Sequence, residues 1–181
     1  MVNRYICAML KDLKPVLFIL FRFLAVYVVF LLIYQFYLNQ SEVHGLDAFS
    51  QWVAKQVKTV QEWFGYASAL YHDPANLTTW FWVKNDYVSR MVEGCNAVSV
   101  MILFAAFVVA FYKGIQTLWF IVGGLVLLHI MNILRIALLN IVLADYPEYG
   151  KIAHDYFFPA VIYGTIVVLW LVWIKVFALK K

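Results

Sequence analysis

The sequence predicts an all-α integral membrane protein with about four transmembrane helices and a small extracytoplasmic segment between the first and second. Composition is the first reason, because 65% of the residues are hydrophobic and only 13% are charged. The mean hydropathy of +0.81 is too high for a soluble globular domain. The second reason is a set of about four apolar runs that approach the roughly 20 helical residues a bilayer requires. All 181 residues are therefore expected to form one membrane domain, 1–181.

The apolar runs are bounded by basic or polar residues. The first is expected to be a retained signal anchor, because it is too long for a cleaved signal peptide. The third is longer than a bilayer requires, so its last turns should stand in the headgroup region. The predicted spans are residues 16–38, 97–112, 115–144 and 156–179.

The basic residues predict the orientation of the chain, since Lys and Arg are enriched in short cytoplasmic segments. Placing them inside puts both termini in the cytoplasm and residues 39–94 outside. Because they cluster at the ends of apolar runs and form no stripe on a soluble face, the net charge of +4 does not indicate a nucleic-acid partner. The residues concerned are Arg4, Lys11, Lys14, Lys113, Lys175, Lys180 and Lys181.

The extracytoplasmic segment 39–94 has structure of its own. Apolar residues recur with a helical period between Leu46 and Phe64, and Asp47 lies near the start, where a helix favours an anion. This pattern predicts an amphipathic helix that lies on the membrane or covers the bundle. Farther on, two aromatic and β-branched runs flank residues 84–86 and predict a short hairpin or an irregular turn.

Three reactive side chains are expected at one depth. Counting about 1.5 Å per helical residue, Cys95 lies about 27 Å and Arg135 about 33 Å from Lys113. His154 lies about 32 Å from Lys175 by the same count. That depth is the outer edge of the hydrocarbon layer. Each residue also has a structural interpretation, as a buried thiol, a snorkelling arginine or a solvated loop histidine.

The three side chains together suit acyl transfer. Cys95 at a helix start is placed for activation to the thiolate, which is the nucleophile. Arg135 offers a fork of donors for an oxyanion, and His154 can move a proton between the thiol and a leaving amine. Ionisable groups at membrane depth tend to face the bundle interior and mark functional paths. Supporting residues are expected to be Glu93, Asn96 and Asn132.

Two other classes of function stay open. The bundle could be a non-enzymatic membrane scaffold, in which Asn132 and His129 form interhelical hydrogen bonds. It could instead be a redox subunit with His129 and His154 as axial haem ligands, although His129 lies only about 24 Å from Lys113 and so differs in depth by roughly 8 Å. We expect no cofactor and no metal, because Cys7 and Cys95 fall on opposite sides of the membrane.

Three sequence features resemble a known family. The segment EGCNAVS (93–99) at a membrane-helix start, NILRI (132–136) late in the next span and His154 before the last span are similar to the Cys, Arg and His signatures of the exosortase/archaeosortase family. The short chain looks most like the compact exosortase F type of Bacteroidetes. Many members are larger, and many have Gly where this chain has Ala97.

The resemblance implies a membrane-embedded cysteine protease or transpeptidase, a hydrolase acting on peptide bonds, in a bacterial cytoplasmic (inner) membrane. Its catalytic residues would be Cys95, Arg135 and His154, facing the periplasm. Its partners would be secreted surface proteins with a C-terminal sorting signal, made of a short motif, a transmembrane helix and a basic cluster. Membrane lipids and an acceptor amine are the other partners that the resemblance implies.

Overall fold

The computed structural model describes the backbone of residues 2–41 and 45–178, and the side chains of residues 13–41 and 45–178. The helices are α1 Val2–Ser41, α2 Ala48–Trp63, α3 Val98–Ala110, α4 Ile115–Asp145, α5 Gly150–Ile152 and α6 Phe158–Val172. The strands are β1 Ser68–Asp73, β2 Thr78–Val83 and β3 Asp86–Met91. The side chains of Arg4 and Lys11, and residues Leu179, Lys180 and Lys181, lie outside this description.

Within the described residues, three helical segments are long and apolar enough to cross a membrane: Leu13–Ser41, Ile115–Asp145 and Pro147–Ala178. The last segment begins with a 3₁₀ turn, Pro147–Tyr149, which leads into α5. A π-helical turn, Ala153–Phe157, joins α5 to α6, and a second π-helical turn ends the segment. Apolar length and composition support a membrane-embedded protein.

Helix α3 is shorter than the span expected over 97–112. Its 13 residues extend about 20 Å, less than the roughly 30 Å of a hydrocarbon layer. It begins late because Ala97 has a φ of 62°, in the left-handed region that a right-handed helix cannot contain. It ends at Ala110, four residues before Gly114, whose φ is 66°. Of the about four spans expected from the sequence, three thus correspond to long apolar helices in the described residues, and the second corresponds to the shorter apolar helix α3.

The segment that is expected to be extracytoplasmic folds onto the helices in its described residues, 45–94, and is only partly helical. The amphipathic helix is present as α2, and Asp47 caps it by accepting a hydrogen bond from the Ser50 backbone N–H at 2.9 Å. The expected hairpin is β2–β3, with Lys84 and Asn85 at positive φ in its two-residue turn. A third strand, β1, pairs antiparallel with β2 and gives the order β1–β2–β3. The class is thus mostly helical with a small sheet.

Two apolar cores meet along α4. One lies between α3, the first half of α4 and the last helical segment, and the other lies between α2, the sheet and the second half of α4. The first is built around the buried residues Phe104, Val108, Leu128, Ile166 and Trp173. The second includes Val53, Val57, Phe81, Met91, Ile133 and Ala137. Helix α4 therefore fixes the position of the sheet relative to the helical bundle.

A pair of adjacent glycines in α4 tests this packing. A Cβ at Gly124 would clash with the ring of Phe104, which is fully buried, whereas a Cβ at Gly123 meets open space. We expect Gly124→Ala to destabilise the protein by about 1–3 kcal/mol, the usual cost of overpacking. The matched control Gly123→Ala should leave the thermal unfolding midpoint in detergent unchanged or slightly raised, because alanine favours helices over glycine. Equal midpoints for the two variants would contradict the packing of α3 on α4.

Candidate active site

The structure brings Cys95, Arg135 and His154 to the wall of one cavity of about 310 Å³. They reach it from three separate parts of the chain, which are the turn after β3, helix α4 and the π-helical turn Ala153–Phe157. The sequence predicts this meeting from depth alone. π-Helical turns are uncommon and are often found at functional sites, so the place of His154 agrees with a functional reading.

Cys95 lies in a turn and not in the first turn of a helix. Its backbone N–H donates to the Val92 carbonyl oxygen at 3.2 Å, and the helix begins three residues later at Val98. The expected activation of the thiol by a helix N-terminus is therefore weakened, since that effect is confined to the first turn. Gly94 has a φ of 86°, which only glycine adopts without strain, so it permits the turn that presents Cys95.

Asn132 holds this turn from the opposite helix. Its Nδ2 donates to the Cys95 backbone oxygen at 3.0 Å, and its side chain is fully buried. The bond joins α4 to the backbone of the turn that contains Cys95. Asn132 is not among the residues that line the cavity, so its role in the described structure is to position Cys95.

Asn96 is likewise structural. Its Nδ2 donates to Tyr34 Oη and to Ser50 Oγ, each at 2.8 Å, and its Oδ1 accepts the Val98 backbone N–H at 3.0 Å. The side chain thus ties the Cys95 turn to α1, α2 and α3 and does not line the cavity. Glu93 is half-buried in the same turn and also lies outside the cavity wall.

His154 is exposed and has a carboxylate partner. Its side chain is 64% accessible, and its Nδ1 lies 2.8 Å from Asp155 Oδ1. A hydrogen bond from Nδ1–H to a carboxylate leaves the other ring nitrogen, Nε2, as a proton acceptor. Asp155 was not predicted as a site residue, because a histidine and an aspartate next to each other in a loop could both simply be solvated.

Three further polar residues at the cavity were not predicted. Ser89 Oγ donates to Asn140 Oδ1 at 2.6 Å, and Asn140 Nδ2 is buried without a hydrogen-bond partner in the described part of the chain. Arg90 lines the cavity as well. The spacing of Asn132 and Asn140, eight residues or two helical turns apart in an apolar helix, was a signal that could have identified Asn140.

The charged side chains that line the cavity are basic. Arg90 and Arg135 both line it, and none of the described lining residues is acidic. Arg135 is half-buried, and its Nε is buried without a hydrogen-bond partner among the described residues. The two guanidinium groups on this wall favour a ligand that carries carbonyl or anionic oxygen atoms.

A slightly larger groove lies elsewhere and is a poorer candidate. It has a volume of about 350 Å³ between α2 and α4, and its walls include Val60, Trp63, Ile130 and Leu134. Its polar lining consists of Gln56 and Thr59, which supply neither an ionisable nucleophile nor a base. The cavity lined by Cys95 is therefore the better candidate for an active site.

His129 belongs to the packing of α2 on α4. Its Nε2 lies 2.8 Å from Gln56 Oε1, and its ring stacks on Trp52 at a centroid distance of 4.8 Å. It does not line the cavity that contains His154. The two histidines are therefore not arranged as axial ligands of one haem, which weakens the redox alternative.

A polar cluster fastens the hairpin to the end of α4, just before the segment that carries His154. Lys84 Nζ lies 2.6 Å from Asp145 Oδ1, and Tyr66 Oη donates to Asp145 Oδ2 at 2.5 Å. The hydrogen bond to Asp145 raises the pKa of Lys84 above its ordinary value. The same kind of bond raises the pKa of the Tyr66 hydroxyl.

The cluster predicts a loss of stability at alkaline pH. Groups whose pKa is raised by folding stabilise the protein fully below their ordinary pKa of about 10, and this contribution disappears as the pH rises through the raised pKa values of Tyr66 and Lys84. We expect Asp145→Asn to unfold at a lower temperature than the wild type at pH 8. The difference should shrink toward pH 12, and a difference independent of pH would contradict the cluster.

The Asn132–Cys95 hydrogen bond predicts that a substitution of Asn132 changes both the stability of the protein and the reactivity of Cys95. Asn132→Leu leaves the Cys95 carbonyl without its donor in a buried site, so we expect a loss of about 1–3 kcal/mol in the free energy of unfolding. Alkylation of Cys95 in a Cys7→Ser background should also change in rate. Ile130→Ala, one half-turn away and exposed on the same helix, is the control that should leave the alkylation rate unchanged.

Comparison with known proteins yields no relative: no family model, no curated protein and no solved structure matches the chain. The site is therefore interpreted from its own geometry. That geometry consists of a thiol, a guanidinium and an imidazole on one cavity wall, with a carboxylate on the imidazole and a buried amide beside them.

Proposed function

We propose that the protein is a membrane-embedded cysteine peptidase or transpeptidase that cleaves C-terminal sorting signals of secreted surface proteins. The observation that carries this proposal is the shared cavity of Cys95, Arg135 and His154. These residues are far apart in sequence and supply the three roles that acyl transfer needs, which are nucleophile, oxyanion donor and general acid–base. The likeness of their sequence contexts to the exosortase/archaeosortase family supports the same function.

The proposed reaction begins with proton transfer. His154 Nε2 accepts the Cys95 thiol proton while Asp155 holds the ring through Nδ1. The thiolate attacks the scissile carbonyl carbon, and the Arg135 guanidinium donates to the oxyanion that forms. The C–N bond then breaks as His154 returns its proton to the leaving amine, and a thioester remains on Cys95.

A second nucleophile completes the cycle. An amine attacks the thioester carbonyl in transfer, and water attacks it in hydrolysis, with His154 accepting the incoming proton in either case. Arg135 again donates to the oxyanion, and collapse of the tetrahedral intermediate returns the thiolate to Cys95. The product is a substrate chain without its membrane helix, joined to the amine or ending in a carboxylate.

The proposed topology places this cavity outside the cell membrane. We propose four membrane passages, with α3 completing the second, both termini in the cytoplasm and the sheet in the periplasm of a bacterial inner membrane. The distribution of Lys and Arg supports this orientation. A substrate helix would then approach laterally from the bilayer, with its cleavage motif at the outer interface and its basic cluster inside.

A scaffold role is the second candidate, supported by the buried hydrogen bonds of Asn96, Asn132 and His129 between elements. Such bonds stabilise helix packing whether or not the protein is an enzyme. The two candidates predict different effects of substituting Cys95. A scaffold would be sensitive to the volume of this side chain, whereas an enzyme would require its sulfur atom.

The proposal is tested in cells that carry the protein, by mass spectrometry of membrane proteins that end in a transmembrane helix and a basic cluster. We expect Cys95→Ser to make members of this class keep their C-terminal peptides, and Arg135→Ala to slow their cleavage by about 10²–10³-fold, the usual effect of losing an oxyanion donor. Cys7→Ser is the matched control and should leave cleavage intact. Tails that are cleaved equally in wild-type and Cys95→Ser cells would leave the scaffold as the better account.

A further inference from the structure

Strand β3 is an edge of the sheet, and the cavity runs along that edge. In the order β1–β2–β3, β3 has only β2 as a strand partner. Consecutive strand residues point to opposite faces of a sheet, yet Ser89, Arg90 and Met91 all line the cavity. Phe81, Ser89 and Met91 lie on one face of the sheet, so the additional presence of Arg90 shows that the cavity also reaches the edge of the strand beside Cys95.

The register of the sheet identifies the backbone groups that point from β3 into the cavity. The Lys84 N–H donates to the Ala67 carbonyl oxygen at 2.9 Å, so Lys84 points its backbone groups toward β1. Alternate residues of a strand point the same way, and Trp82 and Trp80 therefore also face β1. Arg90 lies opposite Trp80 and forms a pair without backbone hydrogen bonds, which turns its own N–H and C=O outward.

The outward groups of Arg90 have no backbone partner among the described residues. The facing wall of the cavity is formed by α4 and includes Arg135 and Asn140. An unpaired strand edge and a wall with polar side chains thus border one cavity, which suits an occupant with backbone hydrogen-bonding groups of its own.

We propose that an extended segment of the substrate polypeptide, directly before its membrane helix, binds as a fourth strand on the open edge of β3. An extended backbone supplies alternating carbonyls and N–H groups about 4.8 Å from the strand it joins. Its backbone groups pair with the outward N–H and C=O of Arg90. The chain of β3 continues into the Cys95 turn, so an added strand delivers its scissile carbonyl to the thiol.

The identity of this occupant rests on the proposed function, whereas the strand edge does not. Strand addition recognises the peptide backbone more than its side chains, so one site would bind substrates with different sequences before the membrane helix. The aliphatic residues Ile136, Leu139 and Leu143 along the same wall provide contacts for side chains of the added strand.

Removal of one backbone N–H tests the proposal. Proline is tolerated in an edge strand where its missing N–H faces away from the sheet. We expect Arg90→Pro to fold with the same resistance to protease as Arg90→Ala and to process tail-bearing membrane proteins at least about tenfold more slowly, the effect of losing one hydrogen bond. Arg90→Ala is the matched control because it removes the same side chain but keeps the N–H. Equal processing rates for the two folded variants would overturn strand addition.

Covalent capture provides a readout that does not depend on turnover. A photoreactive amino acid is placed at Arg90 on β3, or at Tyr71 on the opposite edge strand β1, in the Cys95→Ser background. We expect adducts with membrane proteins that carry a C-terminal helix and basic cluster from position 90 and none from position 71. Equal capture from both strands, or none from position 90, would contradict docking on β3.

The two experiments separate failure of the docking mode from failure of the proposed function. Cleavage that depends on Cys95, without capture at position 90, leaves the peptidase in place and removes strand addition. Capture at position 90 without cleavage that depends on Cys95 supports the docking surface and removes the peptidase. If Arg90→Pro loses protease resistance, capture at position 90 against position 71 decides the docking mode by itself.

Discussion

The site depends on how the short turn after β3 is held. Two asparagine side chains, both fully buried, hold it from opposite sides, Asn96 by binding α1 and α2 and Asn132 by binding the Cys95 carbonyl from α4. In apolar surroundings an unsatisfied amide costs several kcal/mol, so a turn with these bonds has few alternative arrangements. The position of Cys95 is thereby fixed by hydrogen bonds of its neighbours, although it lies in a turn.

Helix α4 couples the membrane to the site. Its first half packs in the apolar bundle, while its second half supports the sheet and carries Arg135 and Asn140 to the cavity. At 31 residues the helix is about 46 Å long, which exceeds the roughly 30 Å of hydrocarbon. The excess length lets one rigid element stand in lipid at one end and line a polar cavity at the other, so the depth of the site is fixed by the helix.

The sequence predicts the elements better than their junctions. Long apolar runs and the period of α2 identify helices because burial repeats along them, but β1 has the sequence SALYHD and shows no comparable alternation. Helix α3 was expected to begin at Ala97 because the apolar run begins there. The left-handed φ of Ala97 depends on the packed turn, and the residue type does not predict it. The depth count predicts that Cys95, Arg135 and His154 lie near one another, and all three line one cavity, although Cys95 and His154 lie outside the regular α-helices that the count assumes. Asn140, Ser89 and Arg90 were missed because their roles arise only when the sheet folds against α4.

An open strand edge beside a membrane is usually a hazard, since it can pair with any extended chain. Here α4 and the π-helical turn with His154 line the same cavity as β3. A segment that must become extended next to a bilayer is one that has just left a membrane helix, because its backbone groups need partners as soon as the helix ends. In the proposed docking mode, the edge of β3 supplies those partners beside Cys95. Satisfaction of backbone hydrogen bonds at the end of the substrate's membrane helix would then account for both the small sheet on a helical protein and the place of the thiol.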